Sequence, residues 1–319
     1  MKKLLLSIAL VVALVSGCTV FSTPEPLAQR TSEIEVRQVD AAVQGVTRYG
    51  STSPTLRVLS LNMAHGRKDS FSQFFVSEAQ IRRNLADIVE LLKREDADIV
   101  TLQEADSPSS WSGNFDHVEL LAREAGYRWY THAWHVDNSF ASYGTAVLSR
   151  FPITRGYGVD FSPTPPTTRK GFTLAEIEWG SGDEKMLVDV VSVHLDFSRS
   201  SKRIIQIEDM KSVLAGRDNP VVVLGDFNSS WTDGERELQE LARSGELKTH
   251  RPDANHLYTY AEERFDWILI SSDFEFCDYY TADEIVSDHL AVIGEMAPVS
   301  NDTPMAGCGA VASDSSAAG

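Results

Sequence analysis

Val221-Val222-Val223-Leu224-Gly225-Asp226-Phe227-Asn228 is the stretch on which the fold turns. Four aliphatic residues in unbroken succession read as a buried strand, bounded by a glycine. The run then ends in a carboxylate and an amide two residues apart, and on an extended backbone two such side chains project the same way. An apolar strand that ends in paired polar groups is expected where the edge of a sheet forms a site.

Other strands repeat the pattern. Leu59-Ser60-Leu61-Asn62 ends in an amide, Val100-Thr101-Leu102-Gln103-Glu104 in a carboxylate, and Val191-Ser192-Val193-His194 in an imidazole, while Ser287-Asp288-His289 opens the last run. The β-type runs are residues 56–61, 98–102, 144–148, 172–179, 186–194, 221–224, 265–270 and 290–296. Two helices stand between some of them, because Ile81, Leu85, Ile88, Val89 and Leu92 share a helical face, as do Ile204, Ile207, Met210, Val213 and Leu214. Many apolar strands with few amphipathic helices imply two packed sheets covered outside by helices, an α/β sandwich. No repeat at a fixed period is visible.

With 319 residues, 42% hydrophobic and 24% charged, the chain has enough material for a large core. One domain is placed at residues 55–297. Residues 18–54, rich in Ser, Thr, Pro, Gln and charge, read as a flexible tether, and residues 298–319 as a disordered tail. Lys2 and Lys3 precede an apolar run, residues 4–15, too short to span a bilayer, so residues 1–17 read as an export signal. Val15-Ser16-Gly17-Cys18 resembles the bacterial lipobox, which implies lipidation at Cys18 and attachment to a membrane without crossing it. Thr19, standing where an Asp would favour inner-membrane retention, directs the expectation to the outer membrane of a Gram-negative bacterium, facing the periplasm or the cell surface. Past Cys18, only Cys277 and Cys308 remain. An oxidising compartment permits a bridge between them, and two distant cysteines alone do not make a structural zinc site.

The net charge of −17 disfavours a protein that lives on nonspecific phosphate contacts, since nucleic-acid binders usually carry a basic face. It does not exclude a nuclease, because a metal site gathers carboxylates and the ion reverses the local field.

Taken together, Leu61-Asn62, Gln103-Glu104, Tyr143-Gly144-Thr145-Ala146-Val147-Leu148-Ser149-Arg150, Val193-His194-Leu195, Gly225-Asp226-Phe227-Asn228, Asp266-Trp267-Ile268-Leu269 and Ser287-Asp288-His289 resemble the endonuclease/exonuclease/phosphatase superfamily, which includes deoxyribonuclease I. The resemblance covers essentially all of residues 55–297 and implies a four-layered α/β sandwich, with two mixed sheets flanked by helices and the site at one rim. It implies a metal-dependent phosphoesterase in which Glu104, with Asn62 and Asp288, holds Mg²⁺, or Mn²⁺ in its place. Asp226 would orient or deprotonate the attacking water beside Asn228, His289 would pair with Asp266 across the scissile phosphate, and His194 would stabilise the transition state or protonate the leaving oxygen. The Val193-His194-Leu195 run argues against the abasic-site endonuclease branch.

Arg169 and Lys170 are candidate phosphate contacts, with a solvated basic pair as the alternative. Arg203 and Gln206 read as buttresses of the site. The expected substrate is a phosphate ester, whether nucleic acid, phospholipid headgroup or sugar or inositol phosphate; the acidic charge leans away from long duplex DNA. A monomer with no protein partner is expected. A nuclease is the alternative within the class. Outside it stand a non-catalytic surface lipoprotein that keeps the fold as a binding module, which should have lost a ligand or a catalytic histidine, and a zinc hydrolase using His132, His135, His194 and His289. In the last case the spacing of His132 and His135 sends the two side chains to opposite faces of a strand.

Overall fold

The computed structural model describes residues 25–39, 54–180, 182, 185–231, 236–299 and 308. Two seven-stranded sheets pack face to face with helices outside both, which is the four-layered α/β sandwich. In chain order the strands are β1 Thr31–Ile34, β2 Val36–Gln38, β3 Leu56–Asn62, β4 Ile99–Asp106, β5 Trp129–Asp137, β6 Ser142–Ser149, β7 Ile153–Asp160, β8 Gly171–Trp179, β9 Met186–His194, β10 Val221–Asp226, β11 Leu247–Lys248, β12 Asp266–Ser271, β13 Phe274–Thr281 and β14 Val292–Pro298. The helices are α1 Glu78–Glu95, α2 His117–Ala125, α3 Ser200–Leu214 and α4 Glu237–Ser244. One sheet has the order β1-β7-β8-β9-β10-β12-β11 and the other β13-β14-β3-β4-β6-β5-β2.

Each sheet is antiparallel except for one central parallel pair, β9 with β10 and β3 with β4. A parallel pair needs a crossover, and here it is a helix: α1 joins β3 to β4, and α3 joins β9 to β10. Both strands of each pair therefore end at the same edge. Alternation along these strands sorts their side chains into layers. Leu56 and Val58 face Val190, Val222 and Leu224 between the sheets, whereas Leu59 and Leu61 meet Ile81, Leu85, Ile88 and Leu92 of α1. Val191, Val193 and Val223 likewise meet Ile207 and Met210 of α3.

Residues 31–38 differ from the tether expected of 18–54. β1 adds to β7 and β2 to β5, one at the edge of each sheet. Arg30 fastens the entry with a two-pronged pair to Asp209 at 2.8 and 3.0 Å and a bond to Asp160 O at 2.7 Å. Two short edge strands in a polar segment carry little periodicity, so their partners, not their composition, define them. At the other end a disulfide joins Cys277 of β13 to Cys308, with Cα atoms 5.2 Å apart. The export signal, Cys18 and the rest of the C-terminal tail lie outside the described residues.

α3 buries a face one residue off the expected one. Arg203, Gln206, Ile207 and Met210 turn inward and Ile204 is half exposed. Among the described residues, no helix is long and apolar enough to cross a membrane.

Candidate active site

The parallel pairs bring Asn62 and Glu104 from one sheet against His194 and Asp226 from the other. Asn62, His194 and Asp226 occupy inward-facing positions in line with Val58, Val190 and Val222. Alternation alone would turn Glu104 toward the helices, in line with Val100 and Leu102. A β-bulge between Gln103 and Ala105, with Glu104 at φ 49°, re-aims it. Glu104 and Asp288 both line the resulting cleft of about 350 Å³, with Asn62, Arg67, His194, Phe197, Asp226, Asn228, Tyr260, Phe265 and His289.

Close strand approach explains the glycine before Asp226. A Cβ on Gly225, at φ 149°, would lie 2.0 Å from Val193 O. After it the backbone turns sharply, with Asn228 at φ 48°, its N–H donating to Asp226 Oδ1 at 2.9 Å and its Nδ2 to Leu195 O at 3.2 Å. Asn62 Nδ2 donates to Asp226 Oδ2 at 3.0 Å, and His194 Nε2 lies 3.3 Å from the same oxygen. Burial, together with the nearby Asp266 charge, raises the Asp226 carboxyl above the ordinary range against the opposing pull of His289 and Asn62. It is thereby a stronger base than a surface aspartate.

His289 Nδ1 bonds Asp266 Oδ2 at 2.7 Å, and its Nε2 is 3.9 Å from Asp226 Oδ2. Burial would lower the pKa of this ring, but Asp266 and Asp226 outweigh burial and raise it to about 10. His289 is accordingly a cation at neutral pH. His194 goes the other way: burial and the adjacent Lys170 hold it well below its ordinary value, so it is neutral. Lys170 Nζ sits 3.1 and 3.3 Å from the two ring nitrogens of His194 and 3.6 Å from Glu104 Oε1. A neutral ring has no imidazolium proton to give to a leaving oxygen, and positive charge at the site comes from His289, Lys170 and Arg67.

Lys170 is thus brought into the site while Arg169 is not. The Arg169 guanidinium pairs with Asp160 at 3.1 Å, a carboxylate also held by His135. The two residues immediately precede β8, and their side chains diverge, Arg169 to Asp160 and Lys170 to His194 and Glu104. Arg203 and Gln206 sit behind the loop after His194: Gln206 Oε1 accepts from Asp196 N at 2.8 Å, and Arg203 bonds Asp196 O and buried Glu237. His132 and His135 spend their ring nitrogens on Ala105 O, Asp160 and Thr145, on opposite faces of β5, so the four-histidine zinc cluster does not form.

Sequence reasoning passed over His65, Arg67 and Tyr260. Arg67 Nη2 lies 2.5 Å from Asp288 Oδ2, and the Tyr260 ring packs 4.7 Å from that of His289. His65 lies beneath Glu104, its Nε2 3.3 Å from Glu104 Oε2 and its Nδ1 2.8 Å from buried Asp106. Ala64, His65 and Gly66 all adopt left-handed backbone, at φ 46°, 57° and 71°. For the two non-glycine residues that costs about 1–2 kcal/mol each. Asn62 Oδ1, which accepts from Ala64 N at 3.1 Å, and Asn84 Nδ2, which donates to Gly66 O at 2.8 Å, hold the turn. Burial raises the Glu104 pKa, yet His65 and Lys170 outweigh it and keep the carboxyl well below the usual range. His65 and Arg67 stand three and five positions after Asn62, and that proximity was the available signal; for Tyr260 there was none.

Residues 59–289 match the Endonuclease/Exonuclease/phosphatase family. The chain belongs to it. This family comprises phosphatases and nucleases. Its solved structures include the human Nocturnin catalytic domain with bound sulfate anion, 17% identical with a TM-score of 0.59, covering 83% of this chain and 98% of that one. A Bacteroides thetaiotaomicron mannosyl-6-phosphatase is 18% identical with a TM-score of 0.54, covering 76% and 99%. A humanized D. rerio TDP2 is 16% identical with a TM-score of 0.54, covering 76% and 99%. At these identities the likeness is one of fold. No curated protein sequence matches the chain significantly.

Proposed function

We propose that the protein is a Mg²⁺-dependent phosphoesterase, with Mn²⁺ as the alternative ion, that hydrolyses a phosphate ester by direct attack of water. The observation that carries the reading is the convergence of four parallel strand ends on one cleft, which sets Glu104 and Asp226 beside the Asp266–His289 pair.

Two ligand sets are available. Asp226, Asp266 and His289 offer atoms within 4.8 Å of one another, but the Nδ1 of that His289 is engaged by Asp266. Asn62, Glu104 and Asp288 offer oxygen alone, the donor type that suits Mg²⁺. Glu104 is ionised and turned into the cleft by a left-handed bulge, which is what a ligand requires, and we assign the ion to this second set. When bound, the ion would neutralise phosphoryl charge and stabilise the charge that develops in the transition state.

The chain's own groups do the rest. Asp226, basic and held by Asn62 and the Asn228 N–H, orients the water and takes its proton as oxygen attacks phosphorus. His289, cationic and fixed by Asp266, donates to a phosphoryl oxygen across the cleft, and Lys170 adds positive charge beside His194. The P–O bond to the leaving oxygen breaks and that oxygen takes up a proton from solvent, giving the alcohol and phosphate, or a phosphomonoester where the substrate is a diester, with no covalent enzyme intermediate. The acidic protein favours an ester other than long duplex DNA. We also propose that it is exported and anchored through lipid on Cys18 in the outer membrane of a Gram-negative bacterium, as a monomer; the Cys277–Cys308 bridge supports export.

The test is hydrolysis by the mature chain, residues 18–319, with Mg²⁺ and with EDTA. Substrates are bis-p-nitrophenyl phosphate, p-nitrophenyl phosphate, plasmid DNA, RNA, sphingomyelin and an inositol phosphate. Metal-dependent cleavage that Glu104→Gln weakens supports the reading; a folded protein silent on all six shifts weight to a binding module.

A further inference from the structure

The loop from Ser70 to Ser77 leaves three phenylalanines in water: Phe71, Phe75 and Phe74 are 96%, 82% and 74% exposed. Burying a phenylalanine is worth roughly 1.5–3 kcal/mol, so a loop free to choose would tuck them in. This one is held open. Gln73, in the middle, is buried and donates to Trp111 O at 3.2 Å and His65 O at 3.4 Å, while Ser72 Oγ accepts from Phe74 N at 3.4 Å. No residue from Ser70 to Ser77 is charged. Phe74 contacts Trp111 and Phe140, with centroids 5.2 and 6.3 Å away, and Trp111 in turn meets His65 at 5.6 Å. The aromatic surface therefore begins beside the residue under Glu104. On another part of the cleft lining, Phe197 is 63% exposed.

The same rim receives the N-terminal segment. Thr31 pairs with Val159, and the next row runs through Asp160 and Gly171 to His194 and Asp226, so β1 starts at the edge where the site lies. In the other sheet the tip of the β5–β6 hairpin, which carries Phe140, extends beyond the Asp106–Tyr143 pair at that edge. Cys18 stands seven positions before Glu25, the first described residue. Seven residues reach at most about 24 Å, less than one domain's width. A lipid on Cys18 would hold this rim against a bilayer.

We propose that the Phe71–Phe75 loop is a bilayer-docking element that inserts at the headgroup and acyl boundary and seats the mouth of the cleft on the lipid surface. Projecting aromatic rings without charge suit that boundary, where an apolar body is buried and the polar backbone stays wet. A net charge of −17 removes general electrostatic attraction to anionic lipid as the driver, so docking is apolar and gains nothing from anionic lipid. Docking in this orientation directs the phosphoesterase reading toward esters presented at a membrane; that consequence rests on the proposed activity, and the orientation rests on the proposed lipid at Cys18.

The experiment uses residues 18–319 with Cys18→Ser, so that acylation cannot contribute. Sedimentation is measured with phosphatidylcholine vesicles and with vesicles containing phosphatidylglycerol. The protein binds phosphatidylcholine vesicles at least as well as the anionic ones, and Phe71→Ser with Phe75→Ser lowers the partition coefficient at least tenfold, while hydrolysis of bis-p-nitrophenyl phosphate stays within twofold. Phe74 is left in place because it packs on Trp111. Phe71→Trp supplies an independent readout, its emission quenched by acyl-brominated phospholipid. No binding to neutral vesicles, undiminished binding by the double variant, no quenching of Trp emission, or a dimer that the double variant dissolves overturns the proposal. Absence of soluble-ester hydrolysis by the parent protein, with its vesicle binding intact, would count against the phosphoesterase reading instead.

Discussion

Asp266→Asn separates charge from shape in the site. The carboxylate is fully buried, 2.7 Å from His289 Nδ1, and is the first of the groups that lift that ring from 6.5 to about 10. A rise of that size corresponds to roughly 5 kcal/mol of preference for the charged ring, shared with Asp226. Because the folded value lies above the unfolded one, the His289 charge stabilises the fold fully below pH 6.5, and this contribution is lost as pH rises through about 10. Asparagine keeps the volume and one acceptor, so helix and strand content should survive. It removes the charge, and His289 then loses its proton nearer neutrality. Loss of a fixed cation facing the phosphate, with a less certain ring tautomer, should lower kcat/KM by about 10²–10⁴, equivalent to roughly 3–5 kcal/mol. The assay is the pH profile of kcat/KM on bis-p-nitrophenyl phosphate at saturating Mg²⁺, paired with an NMR titration of the His289 ring in the metal-free protein. The alkaline limb and the ring titration should both move to lower pH. Activity within threefold of the parent, with an unmoved ring pKa, would refute the reasoning.

Other perturbations test neighbouring parts. His65→Gln removes the ring beneath Glu104 and should raise the Mg²⁺ concentration for half activity by about 10–100-fold while changing kcat at saturation much less; an unchanged metal titration would show that His65 does not position the ligand. Lys170→Met should cost at least tenfold in kcat/KM and Arg169→Met less than twofold, since only the first side chain contacts the cleft residues His194 and Glu104; equal effects would contradict that division. Removing residues 1–54 rather than 1–17 deletes β1, β2 and the Arg30–Asp209 pair, and the melting temperature should drop by about 5 °C or more. An unchanged melting temperature would mean that the two edge strands contribute nothing to stability.

Much of the site was readable because it lies at strand ends, where a polar residue interrupts an apolar run. Asn62, His194, Asp226 and Asn228 carry that signature, and the order of the runs with Ser287-Asp288-His289 carries the family resemblance. The strands that were missed or cut short, such as β7 with Arg155, Gly156 and Gly158 inside it, or the edge strands β1 and β2, lack a sustained apolar face. Their hydrogen bonds go to partners far away in sequence, which no local pattern reports.

Sequence by itself determined the layers, since an apolar period specifies which face of a strand or helix must leave water, and it determined which chemistry-bearing residues end those strands. Tertiary structure alone decided how they are used. The bulge at Glu104 turns a helix-facing position into the cleft. Register across β8 sets Lys170 against His194 and leaves Arg169 to Asp160, and burial among opposite charges makes His289 a cation while His194 stays neutral. Each of these depends on distances between residues tens to hundreds of positions apart, and Coulomb and desolvation energies are fixed by those distances, not by composition.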